Sequence, residues 1–222
     1  MANRPVFCPK EIYIDICEIE FQWYPGMAVS QKKKSIRSLH NSAKDEGIFP
    51  VLEVSTKSDS SLGQSLSAFN LKLQVPRIGS CYLESVYQGS KKFTNGGPYE
   101  DIMTLSPYEA KKDSRLQSSG NLEGFILNNY EWSLTPPRGF YSWIYLNAMD
   151  QNKELADKLS NFKGFTDIEF NPKKSINCQA YCVALYLTLL ADNSLNQTME
   201  SKEAFIEKLS GLDKKGKQAS LF

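Results

Sequence analysis

Short runs along the first third of the chain alternate apolar and polar residues, which is typical of half-buried β-strands. Three segments show this alternation: residues 12–16, 51–54 and 69–75. The first is carried by Ile12, Ile14 and Ile16, and the last ends at Pro76, which cannot donate to a strand ladder. The pattern predicts a strand-containing N-terminal region.

Apolar residues recur at helical spacing elsewhere. Ile36, Leu39 and Ala43 form a stripe that predicts a helix from a cap at Ser30 to about Gly47. Similar patterns predict further helices at residues 83–93, 140–149, 153–159 and around 204–209.

The clearest helix start is at Ser106, which is followed by Pro107 and by Glu109. A serine cap, a proline at the first helical position and a glutamate three residues after the cap form a capping box. Gly120 is the expected end of this helix. Residues 176–190 form the longest apolar stretch, which is too short for a bilayer and predicts a buried central helix.

These elements indicate an α+β fold with a predominantly helical core and N-terminal strands. We expect one domain over residues 1–222, because a chain of this length suits a single ordinary domain. Within it we distinguish a strand-containing extension (1–60), a core (65–191) and a loose basic tail (212–222), which follows an amphipathic helix.

Composition narrows the possible functions. The 222 residues carry 26 Lys and Arg against 25 Asp and Glu, a formal net charge of +1. Proteins that bind nucleic acid through nonspecific phosphate attraction usually have a clear basic excess, so the balance argues against that class. The even balance of charges does not exclude a local basic patch, such as residues 32–34 with Arg37.

The five cysteines are scattered without a C-x-x-C pair, which argues against a disulfide framework or a structural zinc site. His40 is the single histidine, so a metal site or a nucleophile system built on imidazole is not expected. With no signal peptide pattern, we expect a cytoplasmic protein that does not enter a membrane.

Residues 83–93 contain the most informative polar pattern. On a helix, Glu84, Gln88 and Lys91 fall on one face with Tyr87 beside them. Such a stripe is commonly a solvated face. Alternatively, the carboxylate and the amine face one pocket, where the first moves protons and the second acts as a nucleophile or an electrostatic clamp.

Two further groups of polar residues can each be interpreted in more than one way. Lys111 and Arg115 lie one helical turn apart and can either hold a phosphate or form a solvated basic face. Asp167 and Glu169 share a face if their segment is extended, and each would then raise the other's pKa. Asn177 falls at the expected start of the apolar helix, where it either meets an anion or caps the helix.

Four segments recur in the order seen in the NADAR (YbiA-like) superfamily, over roughly residues 65–190. They are Leu66-Ser67-Ala68-Phe69-Asn70, Glu84-x-x-x-Gln88-x-x-Lys91, Pro107-x-x-Ala110-x-x-x-Ser114-Arg115 and Asn177 before an apolar helix. The chain most resembles the branch whose members act as antitoxins beside DarT-type DNA ADP-ribosyltransferases. It departs from the superfamily pattern at Ala68 and Ser114.

The resemblance implies an N-glycosyl hydrolase without metal or cofactor, in which Glu84 is the acid/base and Lys91 the amine beside the anomeric carbon. It also implies substrate contacts by Gln88, Tyr87, Ser67, Phe69, Arg115, Asp167 and Asn177. The expected activity is removal of ADP-ribose from guanine in DNA, which would reverse a DarT-type toxin and release ADP-ribose.

Two alternatives stay open. One is an N-glycosidase for a small free nucleotide, like an intermediate of the riboflavin pathway. The other is a binder without catalysis, which would occupy the toxin or sequester ADP-ribosylated nucleic acid.

Overall fold

The computed structural model describes residues 1–172 and 175–219, with residues 213–219 as backbone alone. The strands are β1 (Ala2–Pro9), β2 (Ile14–Phe21), β3 (Val51–Glu53), β4 (Lys72–Val75), β5 (Gly79–Tyr82), β6 (Lys91–Phe93), β7 (Leu122–Leu127), β8 (Tyr130–Ser133) and β9 (Gly164–Thr166). The α-helices are α1 (Val29–Asp45), α2 (Ser61–Ser65), α3 (Leu83–Gly89), α4 (Pro107–Lys112), α5 (Arg115–Ser118), α6 (Gly139–Gln151), α7 (Lys153–Ala156), α8 (Gln179–Ala191), α9 (Leu195–Met199) and α10 (Lys202–Ala219). Residues Glu100–Thr104 form a 3₁₀ turn.

The fold class is α+β, as the sequence predicts. A predominantly helical core is not confirmed, because six of the described strands, β4 to β9, lie inside the predicted core of residues 65–191. The chain divides into two compact units. The first unit comprises Met1–Ser67 with Lys153–Phe222, and the second unit is Ala68–Asn152.

The first unit contains a four-stranded sheet in the order β2-β1-β9-β3. β3 and β9 run parallel, whereas β1 is antiparallel to both of its neighbours. The predicted stripe of α1 packs into an apolar cluster on this sheet. The cluster consists of Val6, Cys8, Ile19, Phe21, Ile36, Leu39, Ala43, Val51 and Ile168.

The first predicted alternation is only partly correct. β2 begins at Ile14, so Ile12 precedes the strand, and Ile16 remains 49% exposed.

At the other end of the chain, α10 continues to Ala219, through most of the segment expected to be a loose tail. Residues 220–222 of that segment lie outside the described residues. α8 is buried along most of its length, and no described helix is long and apolar enough to cross a membrane.

The second unit contains the β4–β5 hairpin and the three-stranded antiparallel sheet β6-β7-β8. An aromatic cluster fills the space between this sheet, α3 and α6, with the rings of Phe125 and Phe140 stacked at 4.5 Å. Trp132 is 3% exposed and packs edge-on against Phe140. It is therefore a core residue of this unit.

The helix predicted from Ser106 to Gly120 is two helices. The capping box is present: the Ser106 hydroxyl accepts the Glu109 N–H, and Glu109 accepts the Ser106 N–H. α4 nevertheless ends at Lys112, because the Asp113 side chain accepts the Arg115 N–H at 2.9 Å and starts the separate short helix α5. A local polar contact has thus replaced the helical ladder.

Candidate functional site

The N-terminus of α3 is held by the segment before β4. The Leu83 N–H donates to the Leu71 carbonyl and the Glu84 N–H to the Ala68 carbonyl, each at 2.9 Å. These bonds satisfy two of the amides that a helix leaves unpaired at its start. They also hold the backbone of Glu84, the second residue after β5, in the first turn of the helix.

A continuous chain of hydrogen bonds joins the three residues of the predicted polar stripe. The Lys91 ammonium donates to Gln88 Oε1 at 2.6 Å, and Gln88 Nε2 donates to Glu84 Oε1 at 2.8 Å. Glu84 and Gln88 are 7% and 5% exposed. This burial excludes the interpretation of the stripe as a solvated face.

Lys91 does not lie on the helix, contrary to the prediction. α3 ends at Gly89, and Lys91 opens β6, where it pairs with Phe125 of β7. Gly89 permits a close approach at this end of the helix, since a Cβ there would lie 2.8 Å from the Tyr99 carbonyl oxygen. The side chain of Lys91 still reaches Gln88 because the strand begins two residues after the helix.

Burial lowers the pKa of Lys91 below its ordinary value. The negative charge of Glu84 opposes this shift, and the positive charge of Lys111 adds to it. The Lys91 ammonium also lies 5.1 Å from the centre of the Tyr87 ring, which packs on Phe125 at 5.3 Å. Partial desolvation of an amine favours its neutral, nucleophilic form.

Lys111 brings a second cation to the carboxylate. Its ammonium lies 3.8 Å from Glu84 Oε1 and 5.6 Å from the centre of the Phe69 ring. The side chain of Lys111 is 60% exposed, whereas that of Glu84 is 10% exposed. Glu84 therefore lies between the Gln88 amide on the inside and a solvated ammonium on the outside.

Arg115, by contrast, is engaged by acidic partners. Its guanidinium forms ion pairs with Asp101 at 2.7 Å and with Asp113 at 2.8 Å, and it lies over the Tyr99 ring at 4.6 Å. Hydrogen bonds from Arg115 hold the pKa of both carboxyls below their ordinary values. A phosphate at this position would have to compete with both carboxylates.

The remaining predicted residues Ser67, Asp167 and Asn177 belong to the first unit. Ser67 is 2% exposed. Asn177 does not start the apolar helix, because α8 begins at Gln179 with Cys178 as its cap residue. Cys178 is 1% exposed, and burial raises the pKa of its thiol well above the ordinary value, which fits a core residue.

Asp167 and Glu169 do not share a face. β9 ends at Thr166, and the chain then turns, so that Asp167 is buried and Glu169 is exposed. Asp167 accepts the Glu169 N–H and a hydrogen bond from the Gln179 side chain, each at 3.0 Å. The pKa of Asp167 is raised, mainly by burial, and the charge of Glu169 is a lesser cause.

Glu53, which the sequence pattern does not single out, lies in β3 and is 2% exposed. Its carboxyl accepts hydrogen bonds from Ser55, Thr166 and Ile168. Burial raises its pKa, and the neighbouring Asp167 adds to the increase. The only available sequence signal was an acidic residue within an apolar run, which alternation alone interprets as a solvent-facing position.

The basic cluster of α1 is partly neutralised by neighbouring acids. Lys33 and Arg37 both pair with Asp59, at 2.8 and 3.1 Å, and Lys32 lies 3.5 Å from Glu169. Two carboxylates therefore offset part of the charge of these four cations within the unit. Among the described residues, no group of three His, Cys, Asp or Glu side chains is placed to hold a metal ion.

Comparison with known proteins and the order of the four motifs indicate the same superfamily. No curated protein matches the chain significantly. One family model, described as the DarT1-associated NADAR antitoxin, matches residues 2–219 and so includes both units. With nearly its whole length matched, the chain belongs to the family of DarT1-associated NADAR antitoxins.

Proposed function

We propose that this antitoxin is an N-glycosyl hydrolase that removes ADP-ribose from guanine bases in DNA. The observation that carries the proposal is the buried chain from Lys91 through Gln88 to Glu84. These hydrogen bonds join an amine of lowered pKa to a carboxyl group. The protein that contains them belongs to a family associated with a DarT1 toxin. Reversal of the toxin's modification would be the antitoxin activity.

Glu84 is the proposed proton donor to the leaving base. As the bond between the guanine nitrogen and the anomeric carbon breaks, its electron pair stays on the nitrogen, which takes a proton that the Glu84 carboxylate has received from the attacking nucleophile. The resulting carboxylate is then stabilised by the Gln88 amide at 2.8 Å and by the Lys111 ammonium at 3.8 Å. Their placement supports this role.

Lys91 has two possible roles at the anomeric carbon. As a nucleophile, its neutral amine forms a bond to that carbon as guanine leaves and gives a proton to Glu84. The bond from that carbon to the ring oxygen then breaks, the oxygen takes the second proton of the amine, and water hydrolyses the resulting imine to ADP-ribose and the free amine. As an ammonium, it remains unattached and stabilises the charge that develops in the transition state while water attacks. The lowered pKa supports the first role, and the short bond to Gln88 supports the second.

The substrate contacts proposed for the other residues rest on the family resemblance. Tyr87 and Phe69 offer aromatic rings beside the two lysines, at 5.1 and 5.6 Å, where a base or a ribose could pack. Arg115 is proposed to contact phosphate or ribose in exchange for one of its two aspartates. Ser67, Asp167 and Asn177 complete the proposed set.

The substrate class is tested by comparing kcat/KM for three compounds: an oligonucleotide with ADP-ribosylated guanine, the same oligonucleotide unmodified, and a small free nucleotide N-glycoside. We expect ADP-ribose, identified by mass, only from the first. Preferential cleavage of the free nucleotide would assign the protein to metabolite hydrolysis instead. Saturable binding of the modified oligonucleotide at one equivalent, without product, would identify a binder.

The role of Lys91 is tested by adding borohydride during turnover. Reduction of an imine leaves a covalent ADP-ribose mass on the peptide that contains Lys91, and Lys91→Arg supplies the control, since a guanidinium cannot form the imine. A mass on Lys91 establishes the nucleophile, whereas active protein without the mass establishes the electrostatic role.

A further inference from the structure

Glu53 is an acidic side chain inside the sheet of the first unit, and the mechanism above does not use it. It is the last residue of β3, is 2% exposed, and pairs in register with Thr166 of the parallel strand β9. A carboxyl group is costly to bury unless several donors satisfy it. An apolar residue at this position of β3 would avoid the cost, so the buried carboxyl indicates a specific role for Glu53.

The Ser55 hydroxyl donates to Glu53 Oε1 at 2.6 Å, and the other two donors come from the residues on either side of Asp167. The Thr166 hydroxyl donates to Glu53 Oε2 at 2.7 Å, and the Ile168 N–H donates to Glu53 Oε1 at 2.8 Å. Asp167 lies between these two donors. The backbone is held as well, since the Val54 N–H donates to the Thr166 carbonyl at 2.7 Å.

The side chain of Asp167 is in turn fixed by three donors that follow it in the chain, the Glu169 N–H, the Gln179 side chain and the Gln179 N–H. Those bonds orient the carboxyl group relative to the turn and to α8. They do not fix the turn to the sheet. The contacts of Glu53 with residues 166 and 168 supply that connection.

A further contact extends the network to α1. His40 Nε2 lies 2.9 Å from the Thr166 hydroxyl oxygen. Because that hydroxyl donates to Glu53, its oxygen accepts from His40, so Nε2 carries the hydrogen. Burial lowers the pKa of His40 to about 4, which keeps the imidazole neutral in this position.

From this geometry we propose that Glu53 is a positioning residue for Asp167: it clamps the backbone on either side of Asp167 and so determines where that carboxyl group meets the substrate. The inference rests on the proposed function in one respect, that Asp167 contacts the substrate. The clamp itself is a property of the first unit alone.

The kinetic test compares Glu53→Leu, Glu53→Gln and Asp167→Asn on the modified oligonucleotide. Loss of the acceptor of a buried N–H typically costs about tenfold in an equilibrium constant, so we expect Glu53→Leu to raise KM by about tenfold. Glu53→Gln keeps an oxygen for the Ile168 N–H and should restore KM to within about threefold of wild type.

The double variant Glu53→Leu/Asp167→Asn distinguishes positioning from an independent effect. If Glu53 acts through Asp167, the double variant has the KM of Asp167→Asn alone. Multiplicative effects, or an unchanged KM in Glu53→Leu, would overturn the proposal. If Glu53→Leu fails to fold, Thr166→Val removes one donor with little change of volume and should raise KM several-fold, whereas an unchanged KM would contradict the clamp.

Amide hydrogen exchange tests the clamp without substrate. In Glu53→Leu, or in Thr166→Val if the first does not fold, we expect exchange at Ile168 and Glu169 to become about tenfold faster or more. Exchange in α8 should not change. Equal exchange in wild type and variant would overturn the clamp. If the wild type releases no ADP-ribose, the proposed function fails and exchange still decides whether Glu53 holds this turn.

Discussion

Replacing Gln88 by leucine tests the polar chain at its centre. The substitution removes the donor to Glu84 Oε1 and the acceptor for the Lys91 ammonium, while it roughly preserves the packing of a side chain that is 5% exposed. Hydrogen bonds to charged groups contribute about 1.5–3 kcal/mol each, and a buried leucine recovers about 1–2 kcal/mol. We therefore expect the free energy of unfolding to fall by about 1–5 kcal/mol.

The measurement is urea unfolding followed by tryptophan fluorescence in a Trp23→Phe background. The remaining tryptophans, Trp132 and Trp143, belong to the second unit, so the signal reports on that unit. The control is Gln74→Leu, which places the same side chain at an exposed position of β4 and should change stability by less than about 0.5 kcal/mol.

The Gln88→Leu variant should also lose activity, because no side chain then links Glu84 to Lys91 and fixes the distance between them. Misplacement of reacting groups by about 1 Å can cost about 100-fold in rate, and we expect a fall in kcat of at least about tenfold. A Gln88→Leu protein that is as stable as wild type and turns over at the same rate would refute the interpretation of these three residues as one unit.

Three further predictions concern single groups. Glu84→Gln should lower the rate by about 100-fold or more, with Glu123→Gln on the exposed face of β7 as the unaffected control; an unchanged rate removes Glu84 from the mechanism. Ser106→Ala should destabilise the protein by about 0.5–2 kcal/mol in urea, and no loss would contradict the importance of the capping box. Because burial raises the pKa of Glu53 above its ordinary value of 4.5, the folded state keeps a proton on this carboxyl that the unfolded state has already released. Stability is therefore lost as pH rises from the unfolded pKa towards the higher folded pKa. The stability of Glu53→Gln relative to wild type should consequently increase from pH 5 towards pH 8, and a constant difference would contradict the shift.

The elements that the sequence predicts well are those determined by neighbours in the chain. The apolar stripe predicts α1, and the capping box predicts the start of α4. Both signals act within about two helical turns and need no distant partner.

The errors arise where distant partners decide the local structure. The helix over 83–93 stops early because residues 91–93 pair with β7, about thirty residues later, and because Gly89 meets the Tyr99 backbone. The role of Glu53 depends on donors at positions 166 and 168, more than a hundred residues away. A single sequence contains no local signal for such a pairing.

The candidate site shows the same division. The spacing of Glu84 and Gln88 indicated one helical face, which the structure confirms. Lys91 joins them from a strand, so the three side chains meet although the helical position predicted for Lys91 is wrong. The contribution of Lys111 to Glu84 depends on how α4 packs against α3, which the sequence pattern does not specify.

The central claim is that this chain cleaves the bond between ADP-ribose and guanine at the site containing Lys91. The most direct measurement incubates trace protein with excess oligonucleotide carrying ADP-ribosylated guanine and counts the ADP-ribose released per protein molecule by mass spectrometry, with Lys91→Ala in parallel. We predict many turnovers for the wild type and none for the variant. Equal release by both proteins would contradict the assigned site, and no release by either would contradict the proposed activity.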